Sequence, residues 1–272
     1  MAYDGRMFPP RRIVCLTEET VETLYLLGEE ARIVGVSGYA VRPPRVRREK
    51  PRVSAFISAD IDKVLALAPD LVLTFSDLQA EIAAALIRHG VAVHAFNQRD
   101  IAGILAMIRT LGALVGASAK AEALVVSLER RLSDAKARAA RLARLPRVYF
   151  EEWDEPMISG IGWVSELVGI AGGIDVFSAL AAQKSAKDRV VSADAVIAAA
   201  PDIIVGSWCG KKFVPTRVAA RPGFADIPAV RDDWLREIKS PLILQPGPAA
   251  LTDGLDALAH IIGEWASRDP PR

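Results

Sequence analysis

The feature that most narrows the fold is an ungapped internal echo. Asp62-Lys-Val-Leu-Ala-Leu-Ala-Pro-Asp-Leu-Val-Leu73 returns as Asp194-Ala-Val-Ile-Ala-Ala-Ala-Pro-Asp-Ile-Ile-Val205, at a constant offset of 132 residues. Each copy reads as a short helix, a Pro-Asp break and a continuous apolar run, the pattern of a strand in a parallel sheet covered on both faces. Upstream, Arg12-Ile-Val-Cys-Leu16 and Arg147-Val-Tyr-Phe150 each open a half with a strand. Each leads to a helix ending at glycine, Thr20 to Gly28 and Trp163 to Gly172. Arg32 to Val36, Val91 to Ala95 and Trp234 to Ile238 supply further strands. Strands alternating with helices predict an α/β fold of two Rossmann-like lobes, each around a central parallel sheet.

Between the halves, residues 118–145 contain neither glycine nor proline. They align Leu124, Leu128, Leu132, Ala135, Ala139 and Leu142 on one helical stripe. One helix of that length spans roughly 40 Å at about 1.5 Å per residue, more than a sheet crossover needs, so it reads as a strut joining two lobes. An ordinary crossover helix within one larger sheet is the alternative. The organisation expected is an N-terminal tail over residues 1–11, a first lobe over 12–117, the helix over 118–145 and a second lobe over 146–272.

Lysine plus arginine (34) balances aspartate plus glutamate (33), so the bulk charge gives no footprint for nucleic acid. No window approaches the roughly 18 uninterrupted apolar residues of a membrane span; the richest, Val190 to Val205, is broken by Ser192, Asp194, Pro201 and Asp202. The first twelve residues lack the apolar stretch of a secretory signal, so the chain as written is expected in the cytoplasm. It would be periplasmic if the true start lies upstream of Met1. Cys15 and Cys209 read as free thiols, and His89, His94 and His260 form no cluster, so neither a metal nor another cofactor is expected.

In parallel α/β sheets ligands meet the loops beyond the carboxyl ends of the strands. The echo therefore nominates two equivalent loops, residues 74–78 and 206–213, and the first-strand loops 17–20 and 151–160 should open on the same side. They carry Phe75, Trp153, Met157, Trp208 and Phe213, which point to a flat, partly apolar ligand; the alternative is that the rings cap the two cores. Lys211, Lys212, Arg217 and Arg221 suit a carboxylate or phosphate, or form a solvated basic face. Cys209 and Glu152 are the groups an enzyme would use, but no histidine has an evident route to Cys209. The acidic run Glu151, Glu152, Asp154 and Glu155 reads as a polar rim. Asp62 and Asp194 each follow the first residue of a helix capped at Asp60 or Ser192, favourable against the helix dipole. The alternative role is a symmetric docking pair for a partner's basic residues.

Several segments together resemble a known family. They are Arg12-Ile-Val-Cys-Leu-Thr with Glu22, Val34-Gly-Val-Ser-Gly-Tyr39 with Pro43-Pro44, Ala68 to Leu73, Glu166 to Phe177 and Val196 to Val205. The chain is similar over about residues 12 to 266 to the vitamin B12-binding, BtuF-like branch of the ABC-transporter substrate-binding proteins, whose lobes are joined by a backbone helix. The resemblance implies a class III periplasmic-binding-protein fold and a non-catalytic monomer holding a corrinoid in its cleft. Relatives of that family carry haem or iron chelates instead. It places Tyr39, Phe56 and Phe75 at matching positions of the first lobe's cleft, while in the second Met157 replaces an aromatic position and Trp153 lies close to another; Ser76, Trp208, Cys209 and Lys211 from the nominated loops complete the ligand-binding candidates. The tryptophan the family has before Val190-Val-Ser is absent from Lys187-Asp-Arg, and its polar contacts near residues 240–248 are not reproduced. The glutamate that each lobe offers to the permease falls on Asp62 and Asp194.

Overall fold

The computed structural model of the chain describes residues 8–268. In chain order the elements are β1 (Ile13–Cys15), α1 (Glu18–Leu26), β2 (Ile33–Ser37), α2 (Val46–Glu49), β3 (Arg52–Ser54), α3 (Ile61–Ala66), β4 (Leu71–Phe75), α4 (Ala80–Arg88), β5 (Val93–Phe96), α5 (Ile101–Leu114) and α6 (Ser118–Ala139). There follow β6 (Arg147–Asp154), β7 (Met157–Ser159), α7 (Gly162–Ile170), β8 (Ile174–Asp175), α8 (Ala193–Ala199), β9 (Ile203–Gly206), α9 (Pro215–Ala219), α10 (Pro228–Arg231), β10 (Leu235–Glu237), α11 (Ser240–Ile243) and α12 (Leu255–Ser267), the last entered through a π turn at Ala250–Gly254.

Two compact units emerge. One runs through Gln98 and takes in Ala102–Ser127; the other comprises Arg99–Ile101 and the chain from Leu128 onward. The first sheet has the order β3-β2-β1-β4-β5 and is parallel throughout. In the second, β10, β9 and β6 are parallel neighbours, the far edge of β6 pairing in parallel with β8 and in antiparallel with β7. The series β2-β1-β4-β5 thus corresponds to β8-β6-β9-β10, and the sequence echo is a repeat of three-dimensional structure. Val14, Leu16, Val64, Val72 and Leu86 are buried in the first unit's core, while Val148, Val164, Val196, Ile203, Ile204 and Ile262 are buried in the second unit.

The repeated Pro-Asp break owes its form to a latch made twice. The Arg12 amide donates to Asp70 Oδ1 at 2.9 Å and the Asp70 amide donates back to the Arg12 carbonyl at 2.9 Å. Arg147 and Asp202 repeat this at 2.8 Å in both directions. The arginine side chains then cap the preceding helix, Arg12 on the carbonyls of Leu67 and Ala68 and Arg147 on that of Ala199. At each break an alanine takes a left-handed conformation, φ 43° at Ala68 and 42° at Ala200.

The structure shortens two sequence expectations. The helix expected over residues 118–145 ends at Ala139, giving 22 residues and roughly 33 Å. Past it the bonds tighten to i→i−3 at Arg141 and Leu142, and Arg144 turns away to stack on the Trp265 ring and donate to the Arg268 carbonyl at 2.6 Å. Of its stripe Leu128 and Ala135 are buried and Leu124, Leu132 and Ala139 half-buried. Of the tail expected over 1–11, residues 1–7 lie outside the described residues, as do 269–272 of the second lobe. The remainder is built into the first unit: Arg11 donates to Asp70 and the Pro10 carbonyl accepts from Arg32. No helix among the described residues is long and apolar enough to cross a membrane.

Candidate functional site

Because the first sheet is parallel, the carboxyl ends of β1 to β5 share one edge, and the loops there form a surface with two characters. The loops after β2, β3 and β4 each expose an apolar side chain: Tyr39 is 51% exposed, Ile57 71% and Leu78 54%, with Phe56 half-buried beside Ile57. The Phe56 carbonyl is held by Gln79 Nε2 at 2.7 Å, and Gln79 Oε1 accepts from the Phe75 amide, so one buried glutamine braces the loops after β3 and β4. Ser76 sits at φ 54°, a conformation costing on the order of 1–3 kcal/mol outside glycine. Its Oγ accepts from the Leu78 amide at 3.3 Å.

Behind this edge lies an acidic helix start. Glu18, Glu19 and Glu22 at the head of α1 are all buried. Ser37 Oγ donates to Glu18 at 2.8 Å and Arg42 pairs with Glu22 at 2.8 Å. Burial, and secondarily the charge of Glu18, pushes the Glu19 carboxyl up to about 8, against bonds from Thr17 and Gln98 that favour its anion. Burial likewise pushes the Cys15 thiol up to about 12, so it is no nucleophile at neutral pH.

In the second unit the corresponding edge is charged. β6 continues through Asp154, so Glu151, Glu152 and Asp154 lie on a strand rather than in the loop expected from the sequence. Glu151 is fully buried: Arg221 Nη2 donates to its Oε1 at 2.9 Å, and Trp208 Nε1 donates to the same oxygen at 3.0 Å. Burial draws the Arg221 guanidinium down, but its bonds to Glu151 outweigh this and hold it above its ordinary value. Glu152 receives Arg189 at 2.6 and 3.2 Å, and Arg189, itself buried, also donates to the Ser159 carbonyl. Arg189, in the segment Lys187-Asp-Arg189, is thus engaged in a partly buried ion pair. Of the expected polar rim, Glu151, Glu152 and Asp154 are engaged in ion pairs, and Glu155 alone is exposed.

These groups frame a recess of about 500 Å³ lined by Asp154, Glu155, Pro156, Met157, Val191, Ala193, Trp208, Arg217, Arg221 and Pro222. Lys211 lies 4.0 Å over the ring of Trp153 and 5.3 Å over that of Trp208, and pairs with Asp154. Trp208 packs edge-on against Phe213 with ring centres 5.0 Å apart. The Phe213 ring occupies the space a side chain at Gly206 would need, its nearest carbon 1.9 Å from a Cβ built there.

The nominated residues therefore divide. Met157 and Trp208 line the recess, with Trp153 and Lys211 beside it; Cys209 is exposed in the same loop. Tyr39, Phe56 and Ser76 lie at the first unit's strand ends, but Phe75, Trp208 and Phe213 are buried, which corrects the expectation of freely exposed rings. Each closes its own unit's core, Trp208 and Phe213 against each other. Ile57 and Leu78 carry no polar or aromatic signal in the sequence, and Glu151, expected in a polar rim, is fully buried. Asp62 and Asp194 are exposed at equivalent positions of α3 and α8, whose caps are Asp60, accepting from the Lys63 amide, and Ser192, accepting from the Ala195 amide, each at 3.1 Å. No group of three or more His, Cys, Asp or Glu among the described residues could hold a metal ion.

A family model described as periplasmic binding protein matches residues 13–242. The chain belongs to the periplasmic binding protein family. Within it, the chain is 26% identical over 266 residues to an ABC transporter substrate-binding lipoprotein of Bacillus subtilis, covering 93% of this chain and 80% of that one. It is 24% identical to the vitamin B12-binding protein of Vibrio cholerae, covering 91% and 87%. Among solved structures, that of a periplasmic haem-binding protein from Pseudomonas aeruginosa superposes with a TM-score of 0.81 at 24% identity over 97% of this chain and 95% of that one. The B12-binding protein BtuF of Vibrio cholerae gives 0.75 at 21% identity over 96% and 99%. The two-lobe α/β fold expected of the BtuF-like branch is the fold found.

Proposed function

We propose that this family member is a non-catalytic binding protein for a corrinoid or a related metal chelate, serving an ABC importer or descended from a protein that did. The observation that carries the reading is the exposure of Tyr39, Ile57 and Leu78 on three loops at the strand ends of the first unit, which we take as one apolar shelf. Apolar surface there gains roughly 25 cal/mol for each Å² removed from water, before ordering costs, and a flat macrocycle is the cargo that covers such a shelf. The second unit carries a candidate binding surface of its own, the strand-end recess with Trp208 and Met157. Relatives that bind vitamin B12 and structural neighbours that bind haem support a chelate ligand. Asp62 and Asp194 are the proposed contacts for a permease, and the protein is proposed to act as a monomer.

Titration calorimetry with visible spectroscopy tests this, using cyanocobalamin, dicyanocobinamide, haemin and a ferric chelate. A corrinoid is expected to bind at micromolar affinity or tighter. Substituting both Ile57 and Leu78 with serine should weaken it tenfold or more, at about 1 kcal/mol or more per lost apolar contact. Binding of haemin alone would transfer the assignment to haem. Turnover of a ligand that is lost in Cys209→Ser would replace the binding role with an enzymatic one.

A further inference from the structure

The recess in the second unit is electrically balanced. Its cations Lys211, Arg217 and Arg221 are matched by Glu151, Asp154 and Glu155. These charges are not equally committed. Arg221 is spent on the buried Glu151, and Lys211 pairs with Asp154 through Oδ1. Arg217 stands 3.8 Å from Asp154 Oδ2, beyond hydrogen-bond reach, with its side chain 61% exposed. Asp154 Oδ2, on a carboxylate whose other oxygen is paired with Lys211, and the exposed Arg217 therefore face each other across a gap at the recess wall.

A guest group that bridges them must donate to the carboxylate and accept from the guanidinium. We propose that the recess recognises a primary carboxamide, so that the ligand is a chelate carrying amide arms rather than free carboxylates. The amide N–H₂ goes to Asp154 and its carbonyl oxygen to Arg217, giving two charge-assisted bonds at no cost in net charge. A carboxylate there pairs with Arg217 but cannot donate to Asp154 and adds a second negative charge beside it, which Lys211 offsets only in part; an ammonium can donate to Asp154 but meets Arg217 and Lys211 as like charges. Met157 and Trp208 cover the apolar part of the same arm. The arrangement is fixed in advance: Arg221 touches Met157 Sδ at 3.3 Å while held by Glu151, and Trp208 is bonded to that same Glu151.

This inference rests on the chelate-binding reading and sharpens it, because corrinoids bear peripheral amides and haem bears two carboxylates. The experiment pairs each ring with its counterpart of the other charge: dicyanocobinamide against the corresponding corrin heptacarboxylate, and haemin against its bis-amide, titrated calorimetrically into the full-length protein. The amide member is expected to bind at least tenfold tighter in whichever ring pair binds. Asp154→Asn, which removes the repelling charge with little change in shape, should cut that preference threefold or more. Arg217→Gln, at an exposed position that leaves folding intact, should weaken the amide ligand fivefold or more and carries the test if Asp154→Asn does not fold. Equal or tighter binding of the carboxylate member, or amide affinity unmoved by Arg217→Gln, overturns the recess assignment alone. Absence of binding by every member of both pairs overturns the chelate-binding reading as well.

Discussion

At the scale of single residues, charge burial is the dominant theme. Glu19 binds a proton in the folded protein up to about pH 8 but loses it near 4.5 when unfolded, so between these values the native state holds more protons. Its contribution is therefore most favourable below pH 4.5, declines as the pH rises through the window and is fully lost above pH 8. The loss is on the order of a few kcal/mol. Burial raises Glu18 in the same direction. Glu19→Gln is expected to melt higher than the parent at pH 9 and to show a shallower fall in melting temperature between pH 5 and 9. Parallel curves for the two proteins would show that Glu19 ionises freely. The same scale shows where sequence reading stops. Trp208 and Lys211 were legible because a strand ends just before them. Glu151 was not, since a glutamate in an acidic run looks solvated until Arg221, 70 residues away, is folded onto it.

At the scale of elements, the duplicated latch accounts for the most visible motif of the chain, and its logic is structural. The proline and aspartate stop a helix, start a strand and fix the arginine that joins them, independently of any ligand. Ala68 and Ala200 pay for the left-handed turn this needs, which glycine adopts without steric cost. Ala68→Gly and Ala200→Gly are each expected to leave stability unchanged or raise it by up to about 1 kcal/mol in urea unfolding, with matching effects in the two units. A loss exceeding 1 kcal/mol at either site would mean that the methyl group packs more than the torsion costs. The end of α6 was illegible for a related reason: nothing in residues 139–145 breaks a helix by itself. Past the helix end, Arg144 is held by the Trp265 ring and the Arg268 carbonyl, contacts made far along the chain.

At the scale of the whole molecule, the fold was readable because the chain states it twice, whereas the cargo was not, because each copy of the strand-end loop has diverged. The first unit presents apolar groups and the second presents paired charges, so no single loop sequence declares the ligand. Since a ligand that binds only the folded state stabilises it by mass action, an authentic chelate at a hundredfold excess over its Kd contributes about 2.7 kcal/mol. For a chain of this size the melting temperature should then rise by roughly 5–10 °C, read by calorimetric scanning. A chelate that binds spectroscopically but leaves the melting temperature unmoved is adhering to the unfolded chain or to the surface.

The ammonium of Lys211 resting on two indole faces carries a consequence for watching the protein at work. A fixed positive charge beside an indole shifts the energy of its excited state, so Trp153 and Trp208 emit under the influence of that one side chain. Any guest that draws Lys211 away should change their fluorescence colour even if it absorbs no visible light, giving a label-free optical gauge of occupancy that Lys211→Met would silence.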